Sequence, residues 1–160
     1  MGQPTGISLK RLTEQVMSEN NMKQKIEEIK EAMVESLADI MLGERIPLDF
    51  FHEKTAEILY PANRKMTKTI LRKIVNNYRF LLIDPSPIRN KILEVLYPYG
   101  LLLDAYDAPP PPSHQYPLRR LKSMVKQWKW EEANNHHIYS GDAWRLLFKL
   151  IKSEQNQLNV

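Results

Sequence analysis

Six apolar side chains, Met22, Ile26, Ile29, Met33, Leu37 and Ile40, recur at steps of 4, 3, 4, 4 and 3. That spacing puts them on one face of an α-helix and on no common face of a strand. Lys23, Lys25, Glu27, Glu28, Lys30, Glu31, Glu35 and Asp39 occupy the rest of the stretch, and Gly43 follows it, where a left-handed residue commonly closes a helix. A helix over 22–42 is therefore expected, and its apolar stripe must be covered. The spacing approaches a heptad, so a homo-oligomer through 22–42 is one way to cover it. Packing on the chain's own core is preferred, because the seam is short and its flanking charges are not ordered as in a coiled coil.

Composition extends the helical expectation to the whole chain. Only five glycines occur in 160 residues, while Lys, Glu, Leu, Ile and Met dominate, which favours a mainly α fold over a sandwich or barrel. Apolar residues at 42% and charged residues at 26% exclude wholesale disorder. The absence of cysteine removes disulfides, zinc–thiolate sites and thiol nucleophiles. No apolar run approaches the roughly 18 residues of a membrane span, and the N-terminus lacks the apolar core of a signal peptide. A cytoplasmic protein, or a nuclear one in a eukaryotic or viral setting, is expected. Gly6 stands where an N-myristoylation motif wants Ser or Thr, which argues against that modification.

Four parts are expected. Residues 1–19 form an N-terminal arm with a short helix over 9–18, capped by Ser8 and interrupted at Asn20-Asn21. Residues 20–104 form a compact helical core domain. Residues 105–116, with Pro109, Pro110, Pro111 and Pro112, form a stiff proline-rich connector. Residues 117–160 form a C-terminal basic helical pair and tail, with Leu118, Leu121, Val125 and Trp128 inward on one helix. Trp144, Leu147, Phe148 and Ile151 face inward on the other, and a polar tail frays from Ser153.

Within the core part, 44–62 has two parses: a short helix between Pro47 and Pro61, or two strands joined at 52–56 as a hairpin. Periodicity cannot separate them over so few residues. The helix over 67–77 is clearer, capped by Thr67, with Ile70, Leu71, Ile74, Val75 and Tyr78 on one arc and Lys68, Thr69, Arg72, Lys73 and Asn76 on the other. The continuous apolar run 78–83 reads as a buried strand or extended segment. Ser86 and Pro87 start the next helix, and 97–100 is expected to stop it at Pro98. The likeness of AEILYP (56–61) to LEVLYP (93–98) is taken as coincidence, since stacked arrays need at least about three repeats.

No catalytic or cofactor chemistry is legible. The isolated glycines cannot build a phosphate loop or dinucleotide fingerprint. Adjacent His136 and His137 point about 100° apart on a helix and lack a ligand-type partner at i+4. Without a nucleophile elbow, scattered Ser, His and Asp are not a triad. No enzyme, cofactor or metal is expected.

The basic segments combine charge with geometry. Residues 63–91 hold eight Lys and Arg against one acid, Asp84. Lys68, Arg72 and Lys73, aided by Arg64, Lys65 and Arg79, offer a cationic ridge for phosphates, with Thr69, Asn76 and Asn77 as neutral donors. In a helix-turn-helix-like arrangement, 50–60 would brace a recognition helix and Arg72 and Asn76 would reach base edges. Arg119, Arg120, Lys122, Lys126 and Lys129 add a second basic face, with Trp130 off the apolar stripe and suited to stacking on bases. The expected function is non-enzymatic DNA or RNA binding by a regulatory or accessory protein. The alternative is a protein–protein adaptor or assembly subunit, in which basic faces meet an acidic partner or the acidic 22–42 helix of the same fold.

Segment 43–83, running GERIPLDFFHEKTAEILYPANRKMTKTILRKI and onward, resembles in its apolar pattern a strand–strand–helix module found within large bacterial RNA polymerase subunits. The resemblance covers about a quarter of the chain by apolar pattern and carries over no functional residue. A small, α-rich, basic chain with prolines after its core is also similar to matrix-type virion proteins, which implies an assembly role.

Overall fold

A computed structural model describes residues 9–107 and 115–158, with the backbone alone for 10–19. The expected Ser8 cap, the arm before it and the proline run at 109–112 lie outside the described residues. The remainder is mainly helical: five helices with a small three-stranded antiparallel sheet.

The first helix, α1 (Leu9–Met41), is continuous, which corrects the expected break at Asn20-Asn21. Asparagine costs a helix only about 0.7 kcal/mol relative to alanine, too little to stop one that tertiary packing continues. Ile29, Met33, Leu37 and Met41 are wholly buried, each contributing roughly 1.5–3 kcal/mol by leaving water. The stripe is thus covered within its own chain. Gly43 closes the helix at φ +79°, and its N–H donates to the Met66 carbonyl at 2.9 Å.

The ambiguous stretch is a hairpin. Strands β1 (Phe50–His52) and β2 (Ile58–Tyr60) pair antiparallel, Phe50 opposite Tyr60 and Phe51 opposite Ile58 across a register shift. The other edge of β1 takes β3 (Leu81–Leu82). The turn is built locally: His52 Nδ1 accepts from the N–H groups of Lys54 and Thr55, and Ala56 sits at φ +60°. Because 50–60 is not helical, no helix-turn-helix is formed. The run 78–83 is extended only in its second half. It opens as a 3-10 turn over Tyr78–Phe80 before the two residues of β3, with Leu82 half-exposed at the surface.

Helix α2 (Lys68–Asn76) follows the hairpin and α3 (Pro87–Asp107) follows the sheet. Ser86 Oγ accepts from the Arg89 N–H at 3.2 Å, the expected cap. Contrary to expectation, α3 runs through Pro98. Its second half carries Tyr99, Leu102, Leu103, Ala105 and Tyr106 into the core, and that burial outweighs the one backbone bond a proline cannot donate. AEILYP is therefore strand where LEVLYP is helix, so the two phrases share no structure.

Helices α4 (Leu118–Ala133) and α5 (Gly141–Leu158) complete the fold. Leu121, Trp128, Leu147 and Leu150 join the same buried cluster as Ile29 and Leu102. Trp128 lies parallel to Tyr139 at 4.1 Å and edge-on to Trp144. The buried face of α5 is Ala143, Leu146, Leu147, Leu150 and Glu154, while Phe148 is half-exposed. This face is rotated from the expected one because aromatics at 144 and 148 stack on each other beside the core. The helix also runs to Leu158 instead of fraying at Ser153. Among the described residues, no helix is long and apolar enough to cross a membrane.

Candidate nucleic-acid interface

The α2 face forms as its periodicity dictates. Thr67 Oγ1 accepts from the Ile70 N–H at 3.3 Å, Leu71, Ile74 and Val75 are buried, and Lys68, Thr69, Arg72, Lys73 and Asn76 are exposed. Asn77 caps the far end, its amide donating to the Lys73 carbonyl at 2.8 Å.

The face meets carboxylates of its own chain. Lys68 Nζ lies 2.8 Å from Glu35 and Arg72 3.8 Å from Glu31, two rungs of an antiparallel ladder between α2 and α1. Lys73 pairs with Glu57 beside β2 at 3.0 Å. Arg79, past the helix, donates to Asp104 and Asp107 at 2.8 and 2.9 Å. The acidic 22–42 stretch and the basic helix are thus partners within one fold, as the alternative reading allowed.

Arg64 and Lys65 sit on the strap between β2 and α2. The buried Tyr60 hydroxyl pins that strap, accepting from the Ile46 N–H at 2.9 Å and donating to the Arg64 carbonyl. Both side chains are exposed, and among the described residues neither has an acid within ion-pair distance. Arg45 joins them by an antiparallel bridge to Lys65, with Nη1 donating to the Asn63 carbonyl at 3.0 Å. This third cation was missed in the sequence, where only the hairpin parse would have set 45 opposite 65.

The second basic face is sorted by the fold. Arg119, Lys122 and Lys126 line one groove of about 660 Å³ between α4 and the end of α5, together with Ser123, Gln155 and Asn156. Among the described residues no carboxylate lines it, and none lies within ion-pair distance of these three cations. Gln155 and Asn156 went unread because the tail was expected to fray.

Arg120 turns away, its guanidinium 5.4 Å from the Tyr116 ring and donating to the Asp104 carbonyl at 3.3 Å. Lys129 and Trp130 are exposed but do not line the groove. The Trp130 ring is instead edge-on to His136 at 4.9 Å. Since Asp104 also holds Arg79, the end of α3 separates Arg79 from Arg120, and the two basic regions flank it.

No protein-family model and no solved structure matches the chain. A stretch of 78 residues is 49% identical to the DNA-directed RNA polymerase subunit beta of Methylacidiphilum infernorum (isolate V4). The match covers 49% of this chain and 6% of that subunit. About half of the chain is therefore related to a small piece of a far longer polymerase subunit.

Proposed function

We propose that this chain is a non-enzymatic, nucleic-acid-binding accessory of transcription that holds phosphates in the α4–α5 groove and, secondarily, on the α2 ridge. The observation that carries the reading is the 49% identity to a DNA-directed RNA polymerase subunit. Its physical support is the groove, where three cations and neutral amides converge with no acid among the described residues that line it, a donor set suited to a sugar–phosphate backbone.

The α2 cations are second because each already faces a carboxylate. Those pairs are substantially exposed, and such pairs contribute only about 0–1 kcal/mol each, so an incoming phosphate can replace them at small cost. Arg64 and Lys65, with Arg45, extend that ridge. The pairing of α2 with α1 equally favours the protein-adaptor reading, in which the ridge has a structural task and the partner is a polymerase subunit.

A titration of fluorescein-labelled duplex and single strands with the full chain, followed by anisotropy at low salt, tests the proposal. Binding in the micromolar range or tighter is expected at low ionic strength. Absence of binding to DNA and RNA alike refutes it and leaves the adaptor reading.

A further inference from the structure

The face formed by α3 and the 134–140 loop has the opposite character. Two adjoining hollows of about 370 and 450 Å³ share Glu94 and His137 and together make one trough across α3. Leu93, Tyr97 and Ile138 line it and are 38%, 44% and 69% exposed. A single exposed leucine needs no explanation, whereas apolar side chains gathered along one concave surface do.

The trough is acidic. Among the described residues, Asp39, Glu94, Glu131 and Asp142 line it against one Lys or Arg, Lys91. Asp142 is paired with Arg145, but among the described residues Asp39, Glu94 and Glu131 have no Lys or Arg within ion-pair distance. Glu131 accepts from Gln127 at 2.9 Å and from the Tyr139 hydroxyl, and these bonds hold its carboxyl below the usual range, so it remains charged.

The wall is also stiff. Tyr97 meets His137 at 4.9 Å and Tyr139 at 6.3 Å, and Tyr139 stacks on the wholly buried Trp128. Its aromatic surface is therefore anchored to the core before any partner arrives, which lowers the ordering cost of binding.

We infer that this trough docks a segment of a partner protein that carries apolar anchors for Leu93, Tyr97 and Ile138 flanked by Lys or Arg for Asp39, Glu94 and Glu131. Charge complementarity selects this occupant. A nucleic acid is repelled by the carboxylates, and an acidic segment likewise. The site is independent of the phosphate-binding groove, so one molecule can hold both partners.

The test uses the ¹⁵N-labelled full chain and two synthetic amphipathic helical peptides with the same leucine pattern, one with lysine at every polar position and one with glutamate. The lysine peptide is expected to shift amides of 93–98 and 136–140 to saturation, and the glutamate peptide to shift none. The double variant Leu93→Ser, Ile138→Ser removes exposed anchors and should keep the wild-type spectrum elsewhere. It is expected to weaken the lysine peptide roughly ten-fold or more, as loss of central anchors does. Asp39→Asn with Glu94→Gln should weaken it and flatten its salt dependence. Absence of shifts, shifts confined to the acidic face of α1, or equal binding of the glutamate peptide overturns the inference. Concentration-dependent shifts at the same residues without peptide also overturn it, by giving the trough to a second copy.

Discussion

Glu154 is a carboxyl in the core, 7% exposed, whose Oε1 accepts from the Tyr106 hydroxyl at 3.0 Å. Burial raises its pKa, against the lowering effects of that hydrogen bond and of Lys25. The folded chain therefore keeps this proton to higher pH than the unfolded chain does. Stability contributed by the neutral form falls as pH rises from the unfolded value of a glutamate, about 4.3, through the raised folded one. Glu154→Gln keeps an acceptor for Tyr106 and removes the titration. It is expected to raise the urea midpoint at neutral pH and to flatten its decline as pH rises above the unfolded glutamate value of about 4.3. A midpoint lowered at neutral pH would show instead that the charge is stabilising.

Tyr60 carries the opposite kind of hydroxyl, one that the fold requires. Tyr60→Phe leaves the Ile46 N–H and Arg64 carbonyl without their buried partner and should cost about 1–3 kcal/mol in chemical denaturation. Ala56, at φ +60°, is held in a conformation that costs a side-chain-bearing residue about 1–2 kcal/mol. Ala56→Gly should therefore stabilise the hairpin turn, by up to about 1 kcal/mol after the glycine's greater unfolded freedom is counted. A thermal unfolding scan of the two variants separates these effects by sign.

At the scale of elements, local rules succeeded where one signal spoke alone. The α2 face and its Thr67 cap, the Ser86 cap, Gly43 as the close of α1 and the burial of Trp128 could all be read from residue type and spacing. Failures came where packing overrode a local signal. Asn20-Asn21 did not break α1, Pro98 did not break α3, and the α5 face followed its neighbours instead of its largest side chains. The hairpin stayed open in the sequence because its strands are three residues each, below the length at which period 2 and period 3.6 differ.

Pro98 gives this override a measurable size. An interior proline costs a helix about 3 kcal/mol, while replacing a buried proline by alanine forfeits two methylenes at about 0.8 kcal/mol each. Pro98→Ala should then stabilise the chain by roughly 1 kcal/mol, seen as a higher urea midpoint at unchanged m-value. Destabilisation would mean that packing of the ring against its neighbours exceeds the backbone cost.

For the whole molecule, a formal net charge of +4 conceals a separation of sign. The α4–α5 groove is cationic, with no acid among the described residues that line it, the α2 ridge is cationic and matched by α1, and the trough across α3 is acidic and apolar. The sequence revealed which segments were basic but not which cations would be answered. Lys68 and Glu35 are 33 residues apart, and a pairing of that range depends on how α2 lies on α1. The same limit separated Arg119 from Arg120, adjacent in sequence but directed to different surfaces.

The groove is the centre of the functional reading, and the salt dependence of nucleic-acid binding probes it most directly. Anisotropy titrations between about 50 and 200 mM salt give a slope of log affinity against log salt that counts neutralised phosphates, near −0.9 per contact on duplex. Replacing Arg119, Lys122 and Lys126 by Gln should make that slope shallower by about 2–3 and weaken binding at low salt. Replacing Lys68, Arg72 and Lys73 by Gln should have the smaller effect. An unchanged slope in the groove variant, with binding intact, would contradict the assignment of the groove as the phosphate-binding surface.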